Sequence, residues 1–186
     1  FLPSPEFAAQ ANAQPDEYAY ANMDRLAFWD MQARQLTWDA KWDAVLEWQA
    51  PYAKWFTGGK LNASVNDLDR HVAEGRGERV AFFFEGEPGD SRTITYAELL
   101  TEVKKTANAL IEIGINAGDR VAIYLPMIPE AVIAMLACAR IGAPHSVIFG
   151  GFSADALLSR IQDADAKLVI TADGGFRKGA AFALKP

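Results

Sequence analysis

The sequence predicts an α/β protein with an open, mostly parallel sheet of βα units, a small hairpin before it and an aromatic, helical N-terminal arm. Three strand-like segments, residues 119–125, 145–149 and 167–171, alternate with helical patterns at intervals of roughly 25 residues. Strands separated by helices pair in parallel through right-handed crossovers. Hydrophobic residues make up 51% and charged residues 23% of the 186 residues, a globular composition that excludes a disordered chain.

The N-terminal arm is predicted over residues 1–60 and contains all five tryptophans. Trp38 and Trp42, followed by Val45 and Leu46, have the i, i+4, i+7, i+8 spacing that predicts one apolar helix face. Residues 1–16 contain three prolines and are predicted to be extended or loosely ordered. The aromatic side chains are interpreted as an anchor of the arm on another domain, and stacking on a ligand is the less favoured alternative, because aromatic residues bury large areas in cores in any case.

A helix, a hairpin and a second helix are predicted next. Residues 65–74 carry apolar side chains at helical spacing, residues 79–85 form a buried strand, and residues 92–96 return as its partner across a Pro-Gly turn. Thr95 and Glu98 form a capping box that starts a helix, and Gly114 ends it. The inward face of that helix consists of Leu99, Val103, Ala107 and Leu110.

Three βα units complete the pattern. Pro129 is the first-turn proline of a helix that runs to Gly142, and Ser153 caps another helix. The inward residues of the second helix are Leu157, Leu158 and Ile161. A sheet that ended here would have a bare edge, so the fold is expected to continue in a longer protein. Residues 61–186 are therefore expected to be the first part of a larger domain.

Charge, hydropathy and cysteine content limit the binding partners and the cellular compartments that fit the sequence. The formal net charge of −6 disfavours nucleic-acid binding, because an acidic surface repels phosphate backbones. No apolar stretch is long enough to span a membrane, and the start has no secretory signal pattern. The single cysteine, Cys138, cannot form an internal disulfide, which favours a reducing compartment and predicts a cytoplasmic protein.

Common catalytic signatures are absent from the sequence. It contains no P-loop, no nucleophile elbow and no zinc pattern. His71 and His145 are interpreted as ordinary interior or surface residues, and Cys138 as a small core residue. No catalytic residue and no metal ligand are predicted within the chain.

Two glycine-rich segments each follow a predicted parallel strand. Residues 149–153 (FGGFS) let a ligand approach the backbone and precede a helix N-terminus. Residues 173–179 (DGGFRKG) form a predicted loop with two adjacent cations, Arg177 and Lys178. Each segment alone is also consistent with a plain turn or a solvated loop. Because both lie at the same edge of the sheet, together they predict binding of a phosphorylated small molecule.

Several contiguous motifs occur in a recognisable order. They are WFTGGKLN (55–62), DRH (69–71), TYAEL (95–99), GDRVAIYLP (118–126), IPE (128–130) and FGGFS (149–153). From about residue 18 to the last residue, the chain resembles the N-terminal part of acetyl-CoA synthetases, a branch of the adenylate-forming superfamily. The aromatic arm and the FGGFS turn favour this branch, although propionyl-CoA synthetases share much of the pattern.

The resemblance implies a ligase that makes acetyl-CoA in two steps. Acetate attacks the α-phosphate of ATP, with Mg²⁺ shielding the phosphates, and gives acetyl-AMP and pyrophosphate; the thiol of CoA then displaces AMP. It also implies that the triphosphate loop, the acetate pocket, the adenine site, the Mg²⁺ site and the catalytic lysine lie later in the family's chain. The isolated chain is therefore expected to be inactive and to depend on the family's C-terminal domain.

For this chain, the resemblance implies part of a CoA site. In the family, the loop after the last of these strands presents basic residues toward the 3′-phosphate ADP end of CoA. Arg177 matches the first basic residue, and Gly151 matches a glycine beside the CoA path. The second basic position holds Ala180, so either Lys178 replaces that contact or it is lost. The site expected from the resemblance comprises Gly151, Arg177, Lys178, Gly179 and Ala180.

Two other classes of function remain open at this stage. One is a regulatory nucleotide-binding module with the same sheet and no chemistry. The other is an oligomerisation or scaffold segment in which the aromatic arm does the binding. A downstream Ser/Thr/Gly-rich loop and a late lysine would distinguish the enzyme from both.

Overall fold

The computed structural model describes residues 2–184, which form two compact units that divide between Leu61 and Asn62. The first unit contains three helices, α1 (Pro5–Ala9), α2 (Pro15–Met23) and α3 (Arg25–Ala33), and an antiparallel hairpin, β1 (Ala44–Gln49) and β2 (Tyr52–Thr57). The second contains the remaining strands and helices. Together they confirm the mixed α/β class.

Two predictions for the first unit are wrong. The residues after Trp42 form strand β1 and not a helix, because β-branched and aromatic side chains fit strands and Pro51 in the connection to β2 opposes a continuous helix. The sequence predicts extended or loosely ordered backbone over residues 1–16, but Pro5 and Pro15 are the first residues of the helices α1 and α2. Proline is well suited to that position, since its missing N–H has no intrahelical partner there.

The aromatic residues of the first unit pack on one another. The rings of Trp38, Trp42 and Phe56 form a triangle with centroid separations of 4.9, 5.7 and 5.4 Å. The indole N–H of Trp42 donates to Asp30, and that of Trp38 donates to the carbonyl of Ala33. Trp38 and Trp42 therefore share one apolar side, as their spacing predicts, without forming a helix.

The second unit begins with two short π-helical segments, Val65–Asp69 and Val72–Arg76, where the sequence predicts a helix. The hairpin of β3 (Val80–Glu85) and β4 (Ser91–Thr95) follows, and then helix α4 (Tyr96–Glu112). The remaining elements are β5 (Val121–Tyr124), α5 (Pro129–Arg140), β6 (His145–Val147), α6 (Ala154–Asp163), β7 (Leu168–Thr171), β8 (Gly174–Arg177) and β9 (Ala180–Ala183).

A three-stranded parallel sheet with the order β6-β5-β7 is the centre of this unit. The central strand β5 is buried on both faces. Val121 and Ile123 pack with the helices α4 and α5 on one face, whereas Ala122 and Tyr124 pack with α6 on the other. The result is a helix, sheet, helix layering that leaves the carboxyl ends of the strands free to carry the turns described below.

Three details of the second unit differ from the predictions. Of the seven strands described in this unit, β5, β6 and β7 form a parallel sheet as predicted, whereas β8 and β9 form a second antiparallel hairpin that the sequence does not predict. Strand β3 is not buried as predicted, because none of its residues is fully buried and Phe83 is 76% exposed. Leu158 on α6 is exposed, whereas Leu157 and Ile161 pack inward as predicted.

Helix α4 has the predicted ends and the predicted face. The Thr95 hydroxyl accepts from the Glu98 N–H, and the Glu98 carboxylate accepts from the Thr95 N–H, which completes the capping box. Gly114 has a φ of 91°, the left-handed conformation that favours glycine after a helix. The inward residues, all buried, are Leu99, Val103, Ala107 and Leu110. Within the described residues 2–184, no helix is both long enough and apolar enough to cross a bilayer.

A bidentate ion pair joins the π-helical segment to α5. The guanidinium of Arg140 donates to both carboxylate oxygens of Asp69, at 2.7 and 3.0 Å. The side chain of Asn62 donates to the Arg140 carbonyl at 2.8 Å. The hydrogen bonds from Arg140 hold the pKa of Asp69 below its usual value, against the opposing effect of partial burial.

The Asp69 pair is expected to make the folded state sensitive to acid. A carboxyl with a lowered pKa stabilises the folded state above its unfolded-state pKa, and that contribution disappears as the pH falls through the folded-state pKa. Urea unfolding from pH 7 down to about pH 3 should show a smaller loss of stability for Asp69→Asn than for the wild type. An identical pH dependence in the two proteins would contradict this role.

Candidate functional site

The turn after β6 lies at the carboxyl edge of the parallel sheet. Beyond the end of β6, the Ile148 N–H donates to the Ile123 carbonyl, and the chain then turns as Phe152 donates to the Phe149 carbonyl at 3.0 Å. The hydroxyl of the buried Tyr124, the last residue of β5, donates to the Phe152 carbonyl at 3.1 Å. The central strand thus fixes the conformation of the glycine turn.

Ser153 ends this turn and caps α6, as predicted. Its hydroxyl accepts a hydrogen bond from the Ala156 N–H at 3.3 Å, and its backbone is extended, with φ −67° and ψ 161°. The cap satisfies one of the free N–H groups at the start of the helix.

Ser153→Ala is expected to lower the free energy of unfolding by about 1 kcal/mol, because the cap hydrogen bond is lost. Thermal or urea unfolding measures the effect, and Ser159→Ala, an exposed position within the same helix, is the matched control. Equal stabilities of Ser153→Ala and the wild type would show that the cap contributes nothing.

The second glycine-rich segment is not the predicted open loop. Residues Gly174–Arg177 and Ala180–Ala183 form an antiparallel hairpin, β8–β9, in which Arg177 is directly opposite Ala180. The two residues between the strands, Lys178 and Gly179, have positive φ values of 54° and 76°. Two consecutive positive φ values are typical of the two-residue type I′ turn, whose twist suits a hairpin.

The hairpin gives positions 178 and 180, the two candidates for the second basic residue, different places relative to Arg177. Residues directly opposite each other in an antiparallel pair project to the same face, so a basic residue at position 180 would lie beside Arg177. The methyl group of Ala180 occupies that place. Lys178 lies in the turn itself, outside the strand pair, and so does not reproduce the position of a strand residue.

The structure brings Gly151 and Arg177 together. A Cβ atom added to Gly151 would lie 2.5 Å from Nη1 of Arg177 and 2.6 Å from Cε1 of Phe149, so any side chain here would displace one of them. The guanidinium carbon of Arg177 lies 5.4 Å from the centroid of the Phe149 ring, in cation–π range. The two glycine-rich segments therefore form one surface, on which the Arg177 guanidinium lies beside Gly151.

Sequence reasoning missed two contacts of this surface. The carboxylate of Glu87, in the turn between β3 and β4, accepts a hydrogen bond of 2.5 Å from the Gly179 N–H. The guanidinium of Arg160 lies 4.3 Å from the ring centroid of Phe152, which in turn packs edge-on against Phe149. Glu87 is 92 residues from Gly179 in the sequence, and no local pattern relates them.

Cys138 is a buried core residue, as predicted. Burial raises the pKa of the Cys138 thiol to about 11, which suppresses the reactive thiolate. Burial also lowers the pKa of His145, and His71 lies against Arg76 and the ring of Tyr96. Among the described residues 2–184, no group of three or more His, Cys, Asp or Glu side chains is placed to hold a metal ion.

Two family models match the chain in succession. The model for the acetyl-coenzyme A synthetase N-terminus matches residues 14–66, and the model for AMP-binding enzymes matches residues 69–185. The second match covers more than half of the sequence. The chain belongs to the AMP-binding enzyme family.

Individual relatives confirm the resemblance seen in the motifs. The chain is 64% identical over its whole length to the acetyl-coenzyme A synthetase of Streptomyces avermitilis. It is 60% identical over its whole length to that of Mycobacterium tuberculosis, and 54% identical over 98% of its length to that of Deinococcus radiodurans. The chain spans about 29% of the length of each of these AMP-binding relatives.

Proposed function

We propose that this chain is the N-terminal part of an acetate–CoA ligase, which makes acetyl-CoA from acetate, ATP and CoA through acetyl-AMP. The level of identity to proteins named acetyl-coenzyme A synthetase, over the whole chain, supports this proposal. In it, residues 1–60 form the aromatic N-terminal arm, and residues 61–186 form the first part of the AMP-binding domain. The enzyme works in the cytoplasm together with its C-terminal domain.

The part of the reaction assigned to this chain is binding of CoA. The observation that carries the assignment is the guanidinium of Arg177 beside Gly151, at the carboxyl edge where open α/β sheets bind ligands. A guanidinium can donate two parallel hydrogen bonds to the oxygens of one phosphate. Arg177 therefore binds the 3′-phosphate end of CoA, and Gly151, which has no side chain, leaves room for the guanidinium and the Phe149 ring beside the turn.

Neighbouring groups prepare Arg177 for this role. The Phe149 ring lies under the guanidinium and limits its freedom, which lowers the entropy lost on binding. The Lys178-Gly179 turn fixes the end of β8, to which Arg177 belongs. Ala180 adds no charge, so a single arginine provides the side-chain contact from this hairpin, with Lys178 contributing long-range attraction only.

The groups that act on ATP are assigned to the later part of the family's chain. Mg²⁺ is usually bound through one or two carboxylates together with water and substrate phosphates. The proposal places that site, with the ATP phosphates, in the later part of the family's chain. In this proposal, the chain contributes to the second half-reaction, in which CoA displaces AMP, and not to formation of acetyl-AMP.

A chimera tests the proposal. This chain replaces the matching 187-residue segment of the Streptomyces avermitilis acetyl-coenzyme A synthetase, to which it is 64% identical. The chimera is expected to release pyrophosphate in the presence of acetate and ATP and to form acetyl-CoA when CoA is added. The isolated chain, assayed in parallel, is expected to do neither.

Two outcomes would contradict the proposal. A folded chimera that forms acetyl-AMP but cannot use CoA would remove the CoA site from this chain. Pyrophosphate release by the isolated chain, abolished by a substitution within it, would show that the ATP-dependent step does not need the later sequence.

A further inference from the structure

The turn between β3 and β4 is rigid and presents one carboxylate to the candidate site. Within it, the Gly86 N–H donates to the Asp90 carbonyl at 2.7 Å, and the Gly89 N–H donates to the Gly86 carbonyl at 2.9 Å. A Cβ on Gly86 would lie 2.1 Å from Oδ1 of Asp90, so the turn closes tightly on itself. Glu87 belongs to this closed turn, and its side chain extends from the turn to the β8–β9 hairpin.

The hydrogen bond that Glu87 accepts lies at the centre of the β8–β9 turn. Its donor is the N–H of Gly179, the second residue at positive φ, two positions after Arg177. A two-stranded hairpin is marginally stable by itself, so its orientation depends on contacts outside it. A charged acceptor makes such a contact stronger than a neutral one, and the cations Arg177 and Lys178 on the same hairpin add to the attraction.

We propose that Glu87 is a positioning residue for coenzyme binding: its carboxylate anchors the Lys178-Gly179 turn and so holds Arg177 beside Gly151. The inference rests on the proposed CoA site and adds a specificity element to it. Glu87 does not touch the coenzyme. It acts by keeping the guanidinium above the glycine surface in the absence of ligand, which lowers the cost of ordering it when the phosphate binds.

The test uses the chimera. Titration calorimetry measures CoA binding, and steady-state kinetics give the KM values in the two half-reactions. Glu87→Ala is expected to weaken CoA binding roughly two- to tenfold, the range that one hydrogen bond spans. Binding of dephospho-CoA should change much less, since it lacks the phosphate that Arg177 binds. The KM values for acetate and ATP in pyrophosphate release should stay the same.

Two further variants separate positioning from charge. Glu87→Gln keeps an oxygen that accepts the Gly179 N–H and removes the charge, so it should restore most of the affinity for CoA. Glu112→Ala removes an exposed carboxylate at the end of α4 and should leave the affinity unchanged. Amide hydrogen exchange gives a readout without coenzyme: the Gly179 N–H should exchange faster in Glu87→Ala and more slowly again in Glu87→Gln.

The outcomes distinguish this inference from the proposed function. If Arg177→Ala weakens CoA binding and Glu87→Ala does not, the positioning role is wrong and the CoA site stands. If Arg177→Ala has no effect, the proposed site itself is wrong. Tighter CoA binding by Glu87→Gln than by the wild type would show that the carboxylate competes with the phosphate, which also overturns the positioning role.

Discussion

Arg177→Ala is expected to raise the KM for CoA roughly tenfold in the chimera with the Streptomyces avermitilis sequence. A charge-assisted hydrogen bond contributes about 1.5 to 3 kcal/mol where water is largely excluded, and less where salt screens it, while 1.4 kcal/mol corresponds to a factor of ten. The rate of pyrophosphate release should be nearly unchanged, because CoA is not needed for acetyl-AMP formation. Steady-state kinetics of the two half-reactions measure both quantities.

Dephospho-CoA identifies the phosphate that Arg177 binds. The wild type should prefer CoA over dephospho-CoA, and Arg177→Ala should lose that preference. Arg34→Ala is the matched control, because it removes an equally charged side chain whose partner is Asp30 in the first unit. An unchanged KM for CoA, or an equal loss in acetyl-AMP formation, would remove Arg177 from the site.

Ile123→Ala is expected to cause the largest loss of stability, about 2 to 5 kcal/mol. Ile123 is fully buried in the central strand, paired with β6 at Val147 and with β7 at Ile170. Truncation removes apolar contacts and leaves a cavity that the close-packed layers cannot fill. The free energy of unfolding of a typical domain is only about 5 to 15 kcal/mol, so this loss is a large share of it.

Urea unfolding of the chain, followed by circular dichroism, measures the effect of Ile123→Ala. The control is Ile111→Ala, which removes the same atoms from a side chain that is 56% exposed on α4. Ile111→Ala should change the stability little. Similar losses in the two variants would show that burial in the sheet is not the source of the stability.

The elements best predicted from the sequence are those with strong local signals. The capping box of Thr95 and Glu98, the Gly114 helix end and the Ser153 cap each satisfy hydrogen bonds within a few residues, so a short pattern is sufficient. The alternation of strands and helices predicts the parallel sheet for the same reason. The helix wrongly predicted after Trp42 rests on the spacing of two tryptophans, which outweighed a proline and a run of strand-forming residues.

The candidate site was only partly predictable. The sheet topology places the FGGFS turn and Arg177 at one edge, and the structure brings Gly151 and Arg177 into contact. The hairpin form of residues 174–183 was missed, because Lys178-Gly179 is a weaker turn signal than Asn-Gly or Asp-Gly. The hydrogen bond from Gly179 to Glu87 joins two turns that are distant in sequence, and only the folded chain reveals it.

The uneven distribution of two residue types gives each unit its own spectroscopic probe. All five tryptophans precede Leu61, so tryptophan fluorescence, excited selectively over tyrosine, follows the first unit. Cys138, the single cysteine, is fully buried in the second unit, and its thiol is held in the unreactive form. A thiol reagent labels it when that unit opens, at a rate that reports the opening equilibrium. Fluorescence and labelling, recorded on one unmodified sample, therefore reveal whether the two units melt together or separately.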